Sequence, residues 1–544
     1  MERAIFQNCL VNIGNTQLLM QNSQLRPVVT NTVKHSNSNY HHACSYLESA
    51  LNKLKNNPIA INNLGLLFYQ NIEYDFACQC FYFAIKHHDN LHYCHNNLGL
   101  TLNRFGLGEK AVEHYKKALS IKTNYHQARS NLAYALQYFG KPERSEIKQA
   151  HISINDYVFA KSNNFLDLST RNFDPNKKII LGYVSSDFRD HAVGRFLIGI
   201  MQQHNFNNFE VHLFNNLQNK SNDGTTKLLK SLQIKWHDIH SLDTEQACKY
   251  INNINVDVLI DLAGHTKGGR PDIFANRVAP AQITYLGYPN TTGLKNMDYR
   301  IGDIHADLPE FENQNTETML RMPFPMWNYT PWPDMPDESS SPFEENGYIT
   351  FGSANNHAKL QTQWLEVWAK ALSSLPNTKF KIKSRALRNP KTSADLLDFF
   401  SDRGVDNNRI IIEHYSPTKS DHWKFLSSFD IALDSYPYNG TTTSCDLLWL
   451  GVPVLTRAGN SHVSRTTTSL LCGVGLEDWI AKTDNEFIEM CRNKASDLFA
   501  LKHCRQNLRL RMQSESLNNA DLFIIKYENL LREAWSKTCL KLKL

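Results

Sequence analysis

Three loops in the last third of the chain carry residues whose types and spacing suggest chemistry on a charged ligand. In the segment FDIALDSYPYNGTTTSCDLLWLG, an apolar run predicts a buried strand that ends at Tyr436. A Pro/Asn/Gly turn follows, and an apolar helix then opens on Thr441, Thr442 and Thr443. Free backbone N–H groups, a positive dipole end and three hydroxyls together make a cradle for a diphosphate. The alternative is that the threonines merely cap the helix.

In the same threonine helix, Asp446 lies one turn after the start, where it could accept hydrogen bonds from ribose hydroxyls. The other two loops carry nitrogen-bearing side chains at similar positions. ITFGSANNHAKL predicts a strand, a polar loop with Asn356, and Lys359 near a helix start, where a lysine can neutralise charge on a leaving diphosphate. SPTKSDHW adds Lys419 and His422, which suit the base and ribose of a nucleotide. A lone Lys or His in a loop is more often simply solvated, but three such loops in one predicted lobe favour a nucleotide site.

The common motifs for binding a nucleotide or its metal ion are missing. The sequence has no DxD, no GxGxxG after a strand and no GxxxxGK[ST]. A diphosphate site without them must take its positive charge from lysines and helix N-termini. We therefore predict a site that uses no metal and no cofactor beyond the nucleotide-bearing substrate.

The elements that must position these loops follow a strand–loop–helix pattern after about residue 170. KKIILGYVSSDFRDH predicts a strand over 179–184 and a helix from about Ala192, and VDVLIDLAGHTKGG predicts a second strand with a Gly-rich loop. This alternation indicates parallel sheets with functional loops at the strand carboxyl ends. We predict an N-terminal lobe over 175–330, a Pro/Ser/acidic linker over 331–346 and a C-terminal lobe over 347–540. A cleft between two such lobes suits a nucleotide.

The N-terminal third contains a repeat. NNLG occurs at 62–65 and again at 96–99, and SNLA follows at 130–133, so the spacing is 34 residues each time. This period, with small residues at equivalent positions, resembles the tetratricopeptide repeat and predicts a right-handed helical stack over 37–170 with a concave face for a protein partner. A plain helical bundle is the alternative. We expect Pro58 to mark the end of a second helix, and we assign no structure to the polar segment 1–36.

Composition excludes several classes of protein. The chain has 544 residues, enough for about three domains, and a net charge of +5 from 58 basic and 53 acidic residues. This small, mixed charge does not favour nucleic acid or an anionic membrane as a partner. The first residues lack the pattern of a signal peptide, no apolar run is long enough to span a bilayer, and the eleven cysteines include no CxxC pair. We therefore expect a cytoplasmic protein with reduced cysteines.

The chain resembles the protein O-GlcNAc transferase family, in particular its bacterial-type, SPINDLY-like branch. The likeness covers nearly everything after about residue 40 and is carried by the strings GYVSSDFRDH, DLAGHTKGG, APAQITYLGYPNTTGLKNMDYRIGD, FGSANNHAK, LDSYPYNGTTTSCDLLWLGVPV and SHVSR. The resemblance implies an N-terminal α-solenoid of tetratricopeptide repeats followed by an α/β region, a two-lobe glycosyltransferase of the GT-B type.

The resemblance also implies roles for individual residues. His191 would line the catalytic cleft from the N-terminal lobe, and Lys359 would stabilise the leaving diphosphate with Asn356 beside it. His265, in the GHT loop, would lie close to the acceptor channel. The residues that would hold the base, ribose and diphosphate of the donor are Lys419, His422, Thr441, Thr442, Thr443 and Asp446.

The motifs leave the donor sugar open between two choices. Three threonines stand where animal O-GlcNAc transferases have His-Thr-Thr, and FGSANNHAK and GYPNTTG look more like SPINDLY, whose plant form resembles a GDP-fucose user. Lys419, however, matches the uridine-contacting lysine of O-GlcNAc transferases. We therefore favour inverting transfer of N-acetylglucosamine from UDP-GlcNAc to Ser/Thr of proteins bound by the repeats. The alternatives are O-fucosylation from GDP-fucose and a non-catalytic scaffold.

Overall fold

The computed structural model divides the chain into two compact units. The structure describes residues 40–140, 143–169, 171–218, 222–336 and 341–543, so the predicted polar segment 1–36 lies outside the described residues. The first unit comprises Met1–Pro142, Ala354–Ala369 and Lys381–Tyr415. The second comprises Glu143–Ser353, Lys370–Phe380 and Ser416–Leu544. This division follows packing rather than chain order, and the predicted domain boundaries stay predictions.

Six helices form the first part of the first unit. They are α1 (Tyr40–Lys53), α2 (Pro58–Gln70), α3 (Tyr74–His87), α4 (His92–Arg104), α5 (Gly108–Ile121) and α6 (His126–Ala135). Neighbouring helices pack where a glycine faces an aromatic ring. A Cβ at Gly65 would lie 2.6 Å from Phe81 Cε1, and one at Gly99 would lie 2.8 Å from Tyr115 Cε1. Because the same glycine–aromatic contact occurs again 34 residues later, the 34-residue period of the sequence is also the period with which the helices pack.

Asparagines that are buried or partly buried join successive pairs of helices in the same register. Asn97 Nδ2 donates to Asn62 Oδ1 at 2.8 Å, and Asn131 Nδ2 donates to Asn96 Oδ1 at 2.9 Å. A buried amide is stabilising only when it is hydrogen-bonded, so these contacts fix the register between repeats.

The prediction for Pro58 is wrong. Helix α1 already ends at Lys53, and Pro58 is the first residue of α2. The side chain of Asn57 accepts a hydrogen bond from Ala60 N at 3.0 Å, so an Asn–Pro pair starts the helix. Proline suits this position because its fixed φ is helical and the missing N–H would have no intrahelical acceptor.

The second unit begins with helix α7 (Arg144–Val158) and continues into a seven-stranded parallel sheet of order β3-β2-β1-β4-β5-β6-β7. The strands are β1 (Ile179–Ser185), β2 (Phe209–Asn215), β3 (Lys235–Asp238), β4 (Val258–Asp261), β5 (Ala281–Thr284), β6 (Tyr299–Asp303) and β7 (Thr318–Met322). The helices between them are α8 (Ala192–Gln203), α9 (Gly224–Ser231), α10 (Thr244–Asn253) and α11 (Pro271–Ala275). The strand predicted over 179–184 and the helix predicted from Ala192 are thus confirmed.

The second sheet has six strands in the order β10-β9-β8-β11-β12-β13. They are β8 (Ile349–Ser353), β9 (Thr378–Lys383), β10 (Ile410–Glu413), β11 (Ile431–Leu433), β12 (Val454–Arg457) and β13 (Ile480–Ala481). The remaining helices are α12 (Pro342–Asn346), α13 (Thr362–Ser373), α14 (Pro390–Ser401), α15 (Lys419–Ser427), α16 (Thr442–Trp449), α17 (Thr466–Cys472), α18 (Asp484–Ser496), α19 (Leu498–Ser514) and α20 (Ala520–Lys543). Two parallel sheets with connecting helices confirm the α/β class.

In each sheet the chain order reverses between two paired parallel strands, β1 with β4 and β8 with β11. The loops that leave the carboxyl ends of such strands are the usual ligand-binding loops of doubly wound folds. Within the described residues, no helix is both long and apolar enough to cross a bilayer, and none of the ten described cysteines forms a disulfide.

Candidate active site

The loop after β1 carries His191 directly before helix α8. His191 Nδ1 accepts a hydrogen bond from Val193 N at 3.3 Å and lies 3.6 Å from Asp187 Oδ2. Burial lowers the pKa of His191 and the nearby Asp187 carboxylate opposes this change, so the imidazole is neutral at neutral pH. Because Nδ1 accepts, the proton of this neutral ring lies on Nε2, which leaves a donor for a ligand.

The loop after β4 carries His265. Asp261, at the end of the strand, accepts hydrogen bonds from Ala263 N and Gly264 N at 3.0 Å, and its burial raises the pKa of its carboxyl to about 6. His265 Nε2 lies 2.6 Å from Thr292 O and donates to that carbonyl, which fixes the ring. Since β1 and β4 pair in parallel, the loops with His191 and His265 leave the same edge of the first sheet.

Trp332, in the predicted linker, contacts two cations. The guanidinium carbon of Arg195 is 5.0 Å from the ring centroid of Trp332, and Lys419 Nζ is 3.9 Å from it. Lys419 Nζ is also 4.0 Å from Asp190 Oδ2, one residue before His191. The structure thus brings Lys419 together with the loop that carries His191, both within the second unit.

Lys419 and His422 share one face of helix α15. Lys419 is the first residue of α15, where Thr418 and Asp421 form a capping box. Residues three apart on a helix are neighbours on its surface, so both side chains can reach one ligand. The Lys419 side chain is 50% exposed, which leaves it accessible.

A network around Asp434 holds the loop before helix α16. Asp434 Oδ1 accepts from Gly440 N at 2.7 Å, and Oδ2 accepts from Thr456 Oγ1 at 2.7 Å. The carbonyl of Gly440 in turn accepts from the hydroxyls of Thr466 and Thr467. Every one of these groups is buried, so the loop that leads into α16 has a fixed geometry. We predict that this strand ends at Tyr436, but β11 ends at Leu433. The network explains the difference, because the Asp434 carboxylate accepts backbone hydrogen bonds from Ser435 and Gly440 and so turns the chain.

The start of α16 presents three hydroxyls. Thr441, Thr442 and Thr443 are partly exposed, and their hydroxyls make no hydrogen bond with any other part of the chain that the structure describes. The first helical bond runs from Cys445 N to Thr441 O at 2.9 Å, so the N–H groups before it have no intrahelical acceptor. Thr441 is the N-cap residue of α16, but its side chain makes no capping hydrogen bond, so capping does not account for the three hydroxyls. The free backbone N–H groups and the three hydroxyls at the start of α16 together suit the binding of an anion.

Asp446 occupies a less open position than its predicted ribose role suggests. The residue is 6% exposed, and its Oδ1 accepts a hydrogen bond from the Tyr329 hydroxyl at 2.5 Å. Burial raises the pKa of Asp446 to about 7, against the opposing effects of Tyr329 and Arg195. One carboxylate oxygen is thus engaged by the protein, and the ribose role remains a prediction.

Asn356 and Lys359 belong to the first unit. The Asn356 side chain accepts from Ala358 N at 3.2 Å and starts the short 3₁₀ turn His357–Lys359. Lys359 N donates to Asn356 O at 2.8 Å, and the lysine is partly buried. Their roles toward a diphosphate also remain predictions.

One buried ionic cluster was not predicted. Asp307 Oδ2 lies 2.9 Å from His462 Nδ1, and Asp307 Oδ1 accepts from Arg300 Nη1 at 2.9 Å. Burial opposes ionisation of Asp307, but His462 and Arg300 outweigh it and hold the pKa of Asp307 below its ordinary value. The strings SHVSR and MDYRIGD contain two of these residues, but only the fold shows that they meet.

The chain matches the family model described as glycosyl transferase family 41 over residues 133–327 and 344–526. Among curated relatives, the probable UDP-N-acetylglucosamine–peptide N-acetylglucosaminyltransferase SPINDLY of Petunia hybrida is 34% identical over 369 residues, which is 67% of this chain and 40% of that protein. The UDP-N-acetylglucosamine–peptide N-acetylglucosaminyltransferase of Caenorhabditis elegans is 22% identical over 482 residues, covering 66% of this chain and 41% of that protein. The chain thus spans about two fifths of the length of these relatives.

A solved structure extends the likeness to nearly the whole chain. A mutant of the Thermobaculum terrenum O-GlcNAc transferase aligns with a TM-score of 0.82 at 28% identity and covers 95% of this chain and 98% of that one. The family match lies on both sides of the linker and covers well over half of the sequence. The chain therefore belongs to glycosyl transferase family 41.

Proposed function

We propose that the protein transfers N-acetylglucosamine from UDP-GlcNAc to Ser or Thr hydroxyls of protein acceptors, with inversion and without a metal ion. The observation that carries this proposal is the start of helix α16, where three threonine hydroxyls and unpaired backbone N–H groups lie in the same compact unit as Lys419 and His191. The names of the relatives, which specify UDP-N-acetylglucosamine and peptide, support the choice of donor and acceptor.

In this reaction the oxygen of the acceptor hydroxyl attacks the anomeric carbon and the hydroxyl proton is released to solvent, while the bond from that carbon to the diphosphate breaks and its electron pair leaves with the diphosphate. Negative charge develops on the leaving diphosphate, and the α16 N-terminus with its hydroxyls would stabilise it. Lys359 would add a positive charge, and Lys419 with His422 would hold the nucleoside. The protonated Nε2 of His191 could donate a hydrogen bond to an oxygen of the sugar nucleotide.

The helical repeats fit a role in acceptor binding. The 34-residue packing period of α2 to α6 supports a stack of tetratricopeptide repeats, and the two parallel sheets support the two lobes of a GT-B enzyme. A concave repeat surface would hold a long acceptor near the cleft and raise its effective concentration.

One experiment separates this proposal from its alternatives. Purified protein is incubated with a mixture of cellular proteins and either UDP-GlcNAc or GDP-fucose, and modified Ser/Thr sites are mapped by mass spectrometry. We expect N-acetylhexosamine with UDP-GlcNAc and no modification with GDP-fucose. Deoxyhexose from GDP-fucose would identify a fucosyltransferase, and no modification from either donor would favour a scaffold.

Removal of divalent metal should leave the activity intact. The proposed site would draw its positive charge from lysines and a helix N-terminus, so a metal ion would not be needed to balance the diphosphate. We expect initial rates in excess EDTA to match those with Mg²⁺. Loss of activity in EDTA, with recovery on adding Mg²⁺ or Mn²⁺, would refute the proposed site.

Lowering the pH through about 7 should weaken UDP binding. Burial raises the pKa of Asp446 to about 7, so the carboxylate that would accept ribose hydrogen bonds is lost by protonation below that pH. We expect the Kd for UDP to rise by up to about tenfold per pH unit below the pKa. The measurement is calorimetry between about pH 5.5 and 8 on the wild type and Asp446→Asn. Because ionisation of UDP affects both proteins equally, parallel pH profiles of the Kd would rule out Asp446 as the group whose protonation weakens UDP binding.

A further inference from the structure

A pocket in the second unit lies where three segments meet. Helix α7, the 3₁₀ turn Pro309–Gln314 and the loop before His462 border a narrow pocket that is partly open to solvent. Its polar lining includes Arg144, Lys148, Asn290, Arg300, Asp307 and His462. None of these residues is among those assigned to the donor.

The lining carries more positive than negative charge. Arg144 and Lys148 are four residues apart on α7, so they lie on one face of the helix. Arg144 donates to Asn460 Oδ1 at 2.5 Å and Lys148 to Asn313 O at 2.9 Å, which are both neutral acceptors. Within the described part of the chain, neither cation forms an ion pair.

Arg300, on the wall of the same pocket, has unused hydrogen-bonding capacity. The residue is 2% exposed and its Nη1 donates to Asp307, but its buried Nη2 has no hydrogen-bond partner among the described residues. An unsatisfied buried guanidinium nitrogen is costly. Asp307, the one carboxylate in the lining, is already shared with His462. The lining therefore keeps a net positive charge that a bound anion would balance.

We propose that this pocket binds a small oxyanion, a carboxylate or phosphate group, through Arg144, Lys148 and Arg300. Arginine suits both groups because its fork of N–H donors matches two oxygens at once. Asn290, on the pocket wall, is two residues from Thr292, whose carbonyl accepts a hydrogen bond from His265, the residue that we predict near the acceptor channel. This proximity favours an acidic or phosphorylated residue of the protein acceptor as the source of the group, an assignment that rests on the proposed function. A free inorganic anion is the other source.

The first experiment needs no activity. Inorganic phosphate is titrated at constant ionic strength and with excess UDP, and thermal unfolding is followed for the wild type and for Arg144→Gln/Lys148→Gln. We expect saturable stabilisation of the wild type and a half-saturating concentration at least about tenfold higher in the variant, since two charge-assisted contacts are lost. Lys161→Gln/Lys178→Gln, which removes two exposed charges elsewhere in the unit, should behave like the wild type. Equal titration curves for wild type and the pocket variant would overturn the proposal.

The second experiment identifies the source. Acceptor peptides that differ only by Glu or Gln at each position near the modified Ser are compared by kcat/KM. A preference of about tenfold for Glu at one position, lost in the pocket variant, would assign the pocket to the acceptor. Phosphate binding without such a preference would assign it to a free anion. If no peptide is glycosylated but phosphate still titrates the wild type alone, the pocket stands and the proposed function fails.

Discussion

Replacing Lys359 by alanine is expected to lower turnover by about 100-fold or more while the protein stays folded. Lys359 lies six residues beyond β8, in a turn fixed by the Asn356 side chain. A lysine in this position would neutralise charge that appears on the diphosphate only as the glycosidic bond breaks. Its loss should therefore reduce kcat much more than it raises the KM for UDP-GlcNAc. The measurement is steady-state kinetics on a peptide acceptor.

Lys110→Ala provides a matched control for this variant. Lys110 is exposed on α5, in the same compact unit, and its replacement should leave both constants unchanged. Circular dichroism and thermal unfolding check that both variants fold. A Lys359→Ala enzyme with near-normal turnover would exclude Lys359 from the mechanism.

Local pattern was enough to predict much of the fold. The apolar run over 179–184 predicts β1 because a strand buried on both faces is uniformly apolar, and the observed strand differs by one residue. The helix that opens at the threonines was also predicted within one residue, since it is marked by a Pro/Asn/Gly turn before an apolar segment. The prediction for Pro58 fails because the sequence alone does not show whether a proline follows one helix or begins the next.

Contacts between distant segments could not be read from the sequence. Trp332 meets Arg195 and Lys419 only in the folded chain, where the segment after the first sheet lies beside helices α8 and α15. The hydrogen bond from the Tyr329 hydroxyl to Asp446 also joins segments far apart in the sequence, and it engages one oxygen of the carboxylate. Motifs indicate which residue types are present, whereas burial and neighbours decide their ionisation.

The composition of the first compact unit affects how the repeat helices can be tested, because the unit also contains a segment from the C-terminal part of the chain. Residues 354–369, which carry Lys359, pack with the repeat helices: a Cβ at Gly106 would lie 2.8 Å from Leu360 O. Gly106 has a φ of 72°, a conformation that glycine adopts without strain, so this approach is built into the loop after α4. Truncation of the repeats would therefore disturb the Lys359 segment, and the role of the repeats is better tested by point substitutions on their surface.

Replacing Thr442 and Thr443 by valine is expected to weaken UDP binding by about 100-fold or more. Each hydroxyl would donate to a charged phosphate oxygen, and a hydrogen bond to a charged group contributes about 1.5–3 kcal/mol. Valine keeps the shape of threonine, and neither hydroxyl bonds another described residue, so the protein loses no internal contact.

The measurement that tests this expectation is calorimetric titration with UDP, set against Thr362→Val. Thr362 is the exposed first residue of α13, so its replacement makes the same chemical change at another helix start. Uridine, which lacks the diphosphate, should bind the double variant and the wild type equally, because its contacts would come from Lys419 and His422. A double variant that binds UDP as tightly as the Thr362 control would mean that the diphosphate does not lie at the start of α16. Equal weakening for UDP and uridine would instead indicate a general distortion of the loop that Asp434 holds.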